Sequence, residues 1–207
     1  MPMLIVFQLL VFLFSIIVHE ISHGAMAYRL GDPTAKNMGR LTFNPIKHLD
    51  LYGSIILPLM IFFLSGGRFI FGSAKPVPYN PYNLRDKRFG NLKVAIAGPG
   101  SNFLIALVLG LGIRFFGGPI LTLDFGEIFL QMIAFIVFVN ILLCLFNLLP
   151  FPPFDGSKIV YDLFPKQWTG IMRMGIFGLF LGIFVAYFFL GPLTNLLFKL
   201  IVGGSYF

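Results

Sequence analysis

Residues 4–23 read LIVFQLLVFLFSIIVHEISH: an uncharged run over 4–18 that leads directly into His19-Glu20-Ile21-Ser22-His23. A helix places residues four apart on one face, one turn from each other. Two imidazoles at that spacing suit a tetrahedral Zn²⁺, and the glutamate between them suits proton transfer. The pentad sits where lipid would ordinarily be. Ionisable groups at membrane depth are costly and mark function.

Working outward, the bulk composition agrees with a membrane setting. The 207 residues are 57% hydrophobic and 11% charged, with mean hydropathy +0.90. A soluble domain does not carry that much apolar surface with so little charge. The net charge of +7 resides mostly in loops between apolar runs. That pattern reads as orientation and headgroup contact, not nucleic-acid binding. The single cysteine, Cys144, lies in an apolar run and reads as a buried inert thiol. Met1-Pro2-Met3 lacks the basic start of a cleavable signal peptide.

Along the chain, residues 3–28 are long enough to span a bilayer. A polar stretch over 29–50 follows. Residues 51–64 are apolar but short and contain Pro58, which fits a re-entrant or short segment. The loop 66–93 is basic, and its Phe69-Ile70-Phe71 and Ala74-Lys75-Pro76-Val77-Pro78 read as extended backbone. Residues 94–116 and 128–149 are further spans. Pro150, Pro152 and Pro153 then break the helix, which restarts over 156–164. A last segment over 171–190 is expected to be interrupted by Gly191-Pro192 before 193–202. The fold class is all-α and polytopic, with about five to six membrane segments and small extended or β elements near the site. We read residues 1–207 as one integral-membrane domain: a metal-binding core over about 1–165 and C-terminal helices over about 170–202 as a candidate gate.

Loop charge orients the chain. The loops 29–50 and 66–93 and the stretch after Pro150 are basic, whereas 117–127 carries Asp124 and Glu127 and no base. Basic loops favour the cytoplasm. All agree if 51–64 enters and leaves by one face, and the pentad then lies toward the cytoplasmic side.

Two histidines do not complete a catalytic zinc site, which takes three protein ligands and water. Asp155 is the better third candidate than His48 or Cys144. It follows a proline-unwound stretch, and irregular backbone at membrane depth is tolerated only against protein or a wet cavity. The bland alternative for Asp155 is a turn closed with Gly156.

The pentad, the downstream Asn147-Leu148-Leu149-Pro150-Phe151-Pro152-Pro153-Phe154-Asp155-Gly156, and Ala97-Gly98-Pro99 with Ser101-Asn102 just after together resemble the site-2 protease family of intramembrane zinc metalloproteases. Gly39-Arg40-Leu41-Thr42-Phe43-Asn44-Pro45 and Ala74-Lys75-Pro76-Val77-Pro78 are similar to compact members without a PDZ or CBS domain. The resemblance covers roughly residues 16–165. It implies His19, His23 and Asp155 as ligands of one Zn²⁺, Glu20 as the catalytic glutamate, and Asn147 as the family's asparagine.

The expected activity is hydrolysis of peptide bonds in membrane-spanning proteins by zinc-activated water, with Glu20 as general base. Asn147 either donates to the developing oxyanion or ends its helix. The runner-up is a metal-ion or proton transporter using the same buried cluster. A multi-pass protein of the prokaryotic cell (inner) membrane is expected, with lipid and membrane proteins as partners and no nucleic acid. His48 with Asp50 forms either a second metal-binding pair or a loop at the interface. Gly178 and Gly182 have the spacing of close helix packing. Asn102 bonds between helices or near the site. Arg85, Lys87 and Arg88 serve as topology signals or touch anionic lipid or substrate acids.

Overall fold

The computed structural model describes residues 2–50, 56, 60, 63 and 75–204. Apart from residues 56, 60 and 63, the short segment 51–64 lies outside the described residues, and so do Phe69-Ile70-Phe71 and Ala74.

The described residues are helices and loops, with no strand among them. Helix α1 spans Pro2–Arg29 and is followed by the single turn α2, Thr34–Asn37. Helix α3 spans Gly90–Leu121 and α4 spans Gly126–Asn147. Two short helices follow, α5 (Asp155–Leu163) and α6 (Pro165–Met172). Helix α7, Ile176–Val202, ends the fold. Helices α1, α3, α4 and α7 are each long and apolar enough to cross a membrane.

One expectation needs correction. Helix α7 runs unbroken through Gly191-Pro192. Proline removes one helical N–H, but unwinding in an apolar setting would strand several more polar groups. Helix α6 bridges most of the interval between the segments expected at 156–164 and 171–190. It starts with Pro165 in its first turn, where proline's missing N–H costs nothing, and its Trp168 indole donates to the Pro150 carbonyl at 3.1 Å. Residues 75–80, which include the described part of the stretch read as extended, form neither helix nor strand.

Helix α3 is the hub. It packs on α1, α4, α5 and α7. Its Ala106 and Ile113 meet Leu130, Ala134, Val137 and Ile141 of α4 and Phe198, Ile201 and Val202 of α7. Ala106 and Ala134 are fully buried, and small side chains let helix backbones approach where lipid offers no hydrophobic drive. Large apolar side chains such as Leu104, Phe115, Phe180, Phe184 and Phe188 face outward, as a lipid-facing surface requires.

The loops on the pentad side are tied by polar side chains. Asp32, fully buried, accepts from the Thr34 hydroxyl and Asn83 amide and from the backbone N–H of Thr34 and Asn80. Asp162 on α5 accepts from Leu92 N–H at 2.7 Å, satisfying a free donor in the first turn of α3.

The GxxxG spacing is used differently from expectation. A Cβ on Gly178 would lie 2.6 Å from the Pro152 carbonyl oxygen, and one on Gly182 would collide with the Phe154 ring. The two glycines admit the proline loop, not another helix. They set α7 directly against the segment that presents Asp155.

Candidate metal centre

Helices α1 and α3 present their sites in antiparallel register. Val94, Gly98 and Asn102 are four apart and share one face of α3. The Val94 carbonyl accepts from His23 Nδ1 at 2.7 Å, and Asn102 Oδ1 accepts from His19 Nδ1 at 2.7 Å. Between them a Cβ on Gly98 would overlap the His23 ring and lie 2.7 Å from His19 Cε1. Glycine at 98 is what lets both imidazoles lie against α3.

Helix α5 supplies the third group. Asp155 is its first residue, and its Oδ2 lies 3.1 Å from His19 Nε2 and 2.9 Å from His23 Nε2. The two Nε2 atoms are 3.0 Å apart. All three residues are buried, and they form a cluster able to hold a metal ion.

The hydrogen-bond partners identify what the cluster wants. With both Nδ1 atoms donating, both Nε2 atoms are bare acceptors in neutral rings. They converge on a carboxylate oxygen, another acceptor. Three acceptors at such separations repel unless a cation lies among them. Tetrahedral zinc with bonds of about 2.0–2.1 Å separates its ligands by roughly 3.3 Å, close to the spacing here. The donor set therefore fits zinc.

The other Asp155 oxygen, Oδ1, accepts from Lys158 Nζ at 2.8 Å. This leaves Oδ2 alone facing the histidines. Burial pushes the Asp155 carboxyl up, but its neighbours His19, His23 and Lys158 outweigh burial and hold it well below the usual range. Burial lowers Lys158, and the Asp155 charge overcomes this to raise it. Both groups are ionised at neutral pH.

Glu20 lies beside the cluster. Its Oε2 accepts from Val77 N–H at 2.8 Å. It lines a cavity of about 50 Å³ together with His23, Asp155, Lys158, Tyr79, Pro76 and Val77, enough for water. The strap that supplies Val77 is fixed by buried Arg40, which donates to the Lys75 carbonyl at 2.7 Å. Lys75 N–H in turn donates to the His48 carbonyl.

Asn147 is not among the residues lining this cavity. Its Nδ2 donates to the Leu143 carbonyl of its own helix at 3.0 Å. His48 is buried with Nε2 on the Thr42 carbonyl at 2.7 Å, a loop-folding contact. Asn102 plays both anticipated parts, bonding between helices and at the site. Sequence reasoning missed Lys158, Arg40, Ser15 and Asn140. A lone amide inside an apolar run was a usable signal for Asn140, as was the three-residue spacing for Lys158.

The model of peptidase family M50 matches residues 7–122 and 115–189. The chain belongs to this family. Membership bears out the resemblance to site-2 proteases, and with four apolar helices it makes this M50 chain an integral membrane protein. Among similar proteins is the presumptive zinc metalloprotease YwhC of Bacillus subtilis, 41% identical over 160 residues, covering 73% of this chain and 66% of its own. The Rip2 protein of Mycolicibacterium smegmatis, given the same description, is 35% identical over 145 residues, 70% of this chain and 52% of its own. Protein MJ0611 of Methanocaldococcus jannaschii, also so described, is 30% identical over 163 residues, 74% of this chain and 72% of its own. The M50 chain thus spans from about half to just under two thirds of the length of the first two relatives. No solved structure matches it significantly.

Proposed function

We propose that this chain is a zinc endopeptidase that cuts membrane-spanning proteins within or near the bilayer, in a prokaryotic cell membrane. His19, His23 and Asp155 would hold the metal and Glu20 would act as general base. The observation that carries this reading is the convergence of three bare acceptors on one point beside a cavity-lining carboxylate.

When bound, zinc supplies Lewis acidity, which lowers the pKa of water toward about 7 and polarises a carbonyl. The protein's own residues do the rest. Glu20 has one oxygen anchored by Val77 N–H, which fixes the carboxylate while leaving the other oxygen to take a proton from water. It would then return that proton to the departing amine. The Lys158 charge beside Asp155 keeps that carboxylate ionised. Asn147 would donate to the developing oxyanion only after leaving its Leu143 partner. Such a donor is worth about 2.7–4 kcal/mol.

The cavity admits water but is too small for a peptide. A substrate would have to displace the strap over 75–79 or part the helices, and α7 against the proline loop is a candidate gate. The transporter reading is not favoured. It calls for successive ligand sets across the membrane, and the described residues hold one cluster.

The test is to purify the protein in detergent, quantify zinc, and compare Glu20→Gln with the unsubstituted chain on a panel of single-span proteins. Retained zinc with cleavage lowered about 10²–10⁴-fold supports the reading. Equal cleavage by both proteins contradicts it.

A further inference from the structure

Two asparagines stand behind the metal cluster. Asn102 and Asn140 are completely buried, on α3 and α4, and neither lines the cavity. Either end of an amide can face a neighbour, so partners that only accept decide its orientation. Asn102 Nδ2 lies 3.2 Å from the Ser15 carbonyl oxygen, which fixes its NH₂ end there and turns Oδ1 to His19. Asn140 is fixed in the same way. Its Nδ2 donates to the Ile136 carbonyl at 2.9 Å and to the Ser15 hydroxyl at 3.0 Å. Its Oδ1 is left to accept from Asn102 Nδ2 at 2.8 Å.

The polarity therefore runs one way, from the Ile136 carbonyl through Asn140 and Asn102 to His19. An oxygen with no hydrogen to give faces His19 Nδ1, so Nδ1 carries the ring hydrogen and Nε2 is a lone pair aimed at the cluster. His23 obtains the same orientation from a backbone carbonyl, that of Val94. The His19 arrangement alone depends on side chains, and it joins α1, α3 and α4.

We propose that Asn102 and Asn140 are positioning residues that lock His19 in the tautomer with a bare Nε2 and thereby set the affinity of the site for a divalent metal. The proposal rests on the metal-site reading above. Partners that orient a ligating histidine contribute about 10–100-fold in metal affinity. Asn102, in direct contact, should give the larger effect, and Asn140 the smaller.

The test uses the full chain in detergent, stripped of metal, with zinc affinity measured by competition against a chelator and the melting temperature of the metal-free protein measured alongside. Asn102→Leu should weaken zinc binding about 10–100-fold and alter the visible spectrum of the cobalt-loaded protein. Asn102→Asp, which keeps an oxygen toward His19, should recover part of the affinity. Asn140→Leu should weaken binding at least about threefold and carries the test if Asn102→Leu does not fold. Thr194→Val, at another fully buried polar residue on α7, should leave the affinity unchanged. Zinc binding within twofold of the unsubstituted protein in folded Asn102→Leu and Asn140→Leu would overturn the proposal while leaving the metal site intact. Failure of the unsubstituted protein to bind zinc would remove both.

Discussion

His23 Nε2 and Asp155 Oδ2 lie 2.9 Å apart although 132 positions separate them in the chain. The fold closes that gap with three features: the hub helix α3, the proline-bent segment after α4, and the glycine pair of α7 that seats it. The donor set follows from the contact. Removing Asp155 leaves two neutral imidazoles, which hold zinc far less tightly than three ligands. We expect Asp155→Ala to weaken zinc binding more than about 100-fold, read by chelator competition on folded protein.

Gly98 gives a sharper structural prediction. A methyl group there would overlap His23 and crowd His19, and neither ring can retreat without breaking its Nδ1 bond. Gly98→Ala should lose zinc binding as fully as removal of a ligand does. Metal content of the purified variant, beside a circular dichroism spectrum showing intact helices, checks this.

Lys158 holds the outer oxygen of Asp155. Without it the carboxylate can turn toward solvent or bind through both oxygens. Lys158→Met should reduce zinc affinity about 10-fold, and Lys158→Arg should retain most of it. Indistinguishable affinities for all three proteins would show that Lys158 does not hold the ligand.

Asp32 predicts a pH response away from the metal. Burial raises its carboxyl, but the hydrogen bonds from Thr34, Asn83 and Asn80 outweigh that and leave it below the usual range. A carboxylate depressed in the folded state stabilises above its unfolded pKa of about 3.9, and that stability is lost as pH falls through the folded value. Melting temperature should therefore fall as pH drops below about 4 in the unsubstituted protein, and less so in Asp32→Asn. Parallel curves for the two proteins would exclude this role.

The α7 glycines test the seating of the metal loop. Gly182→Leu should push against Phe154, which is buried and meets Phe146 edge to face with ring centroids 4.6 Å apart. The loop must shift, lowering both melting temperature and zinc retention. A variant as stable and as zinc-replete as the parent would show that the loop moves freely.

Much of this was legible in the residues. The pentad and the uncharged run before it gave α1, since a two-histidine face has a fixed spacing on a helix. Proline density after Asn147 located the bend and, with it, Asp155. What escaped was whatever depended on partners distant in the chain. Gly191-Pro192 looked like a break because local propensity counts the lost N–H but not the cost of unwinding among apolar neighbours. Gly178 and Gly182 looked like a helix-packing motif because spacing alone does not say what approaches. Asn140 and Lys158 left a trace in the sequence, a lone amide in an apolar run and a three-residue spacing from Asp155, but their partners Asn102 and Asp155 become visible only in the fold.

Zinc-edge X-ray absorption on the purified chain reads the shared ion most directly. One ion per chain, with two imidazole shells and oxygen scatterers at about 2.0–2.1 Å and no sulfur, is the predicted spectrum. A sulfur shell near 2.3 Å, or imidazole scattering that persists unchanged when His19 and His23 are both replaced by alanine, would contradict the account.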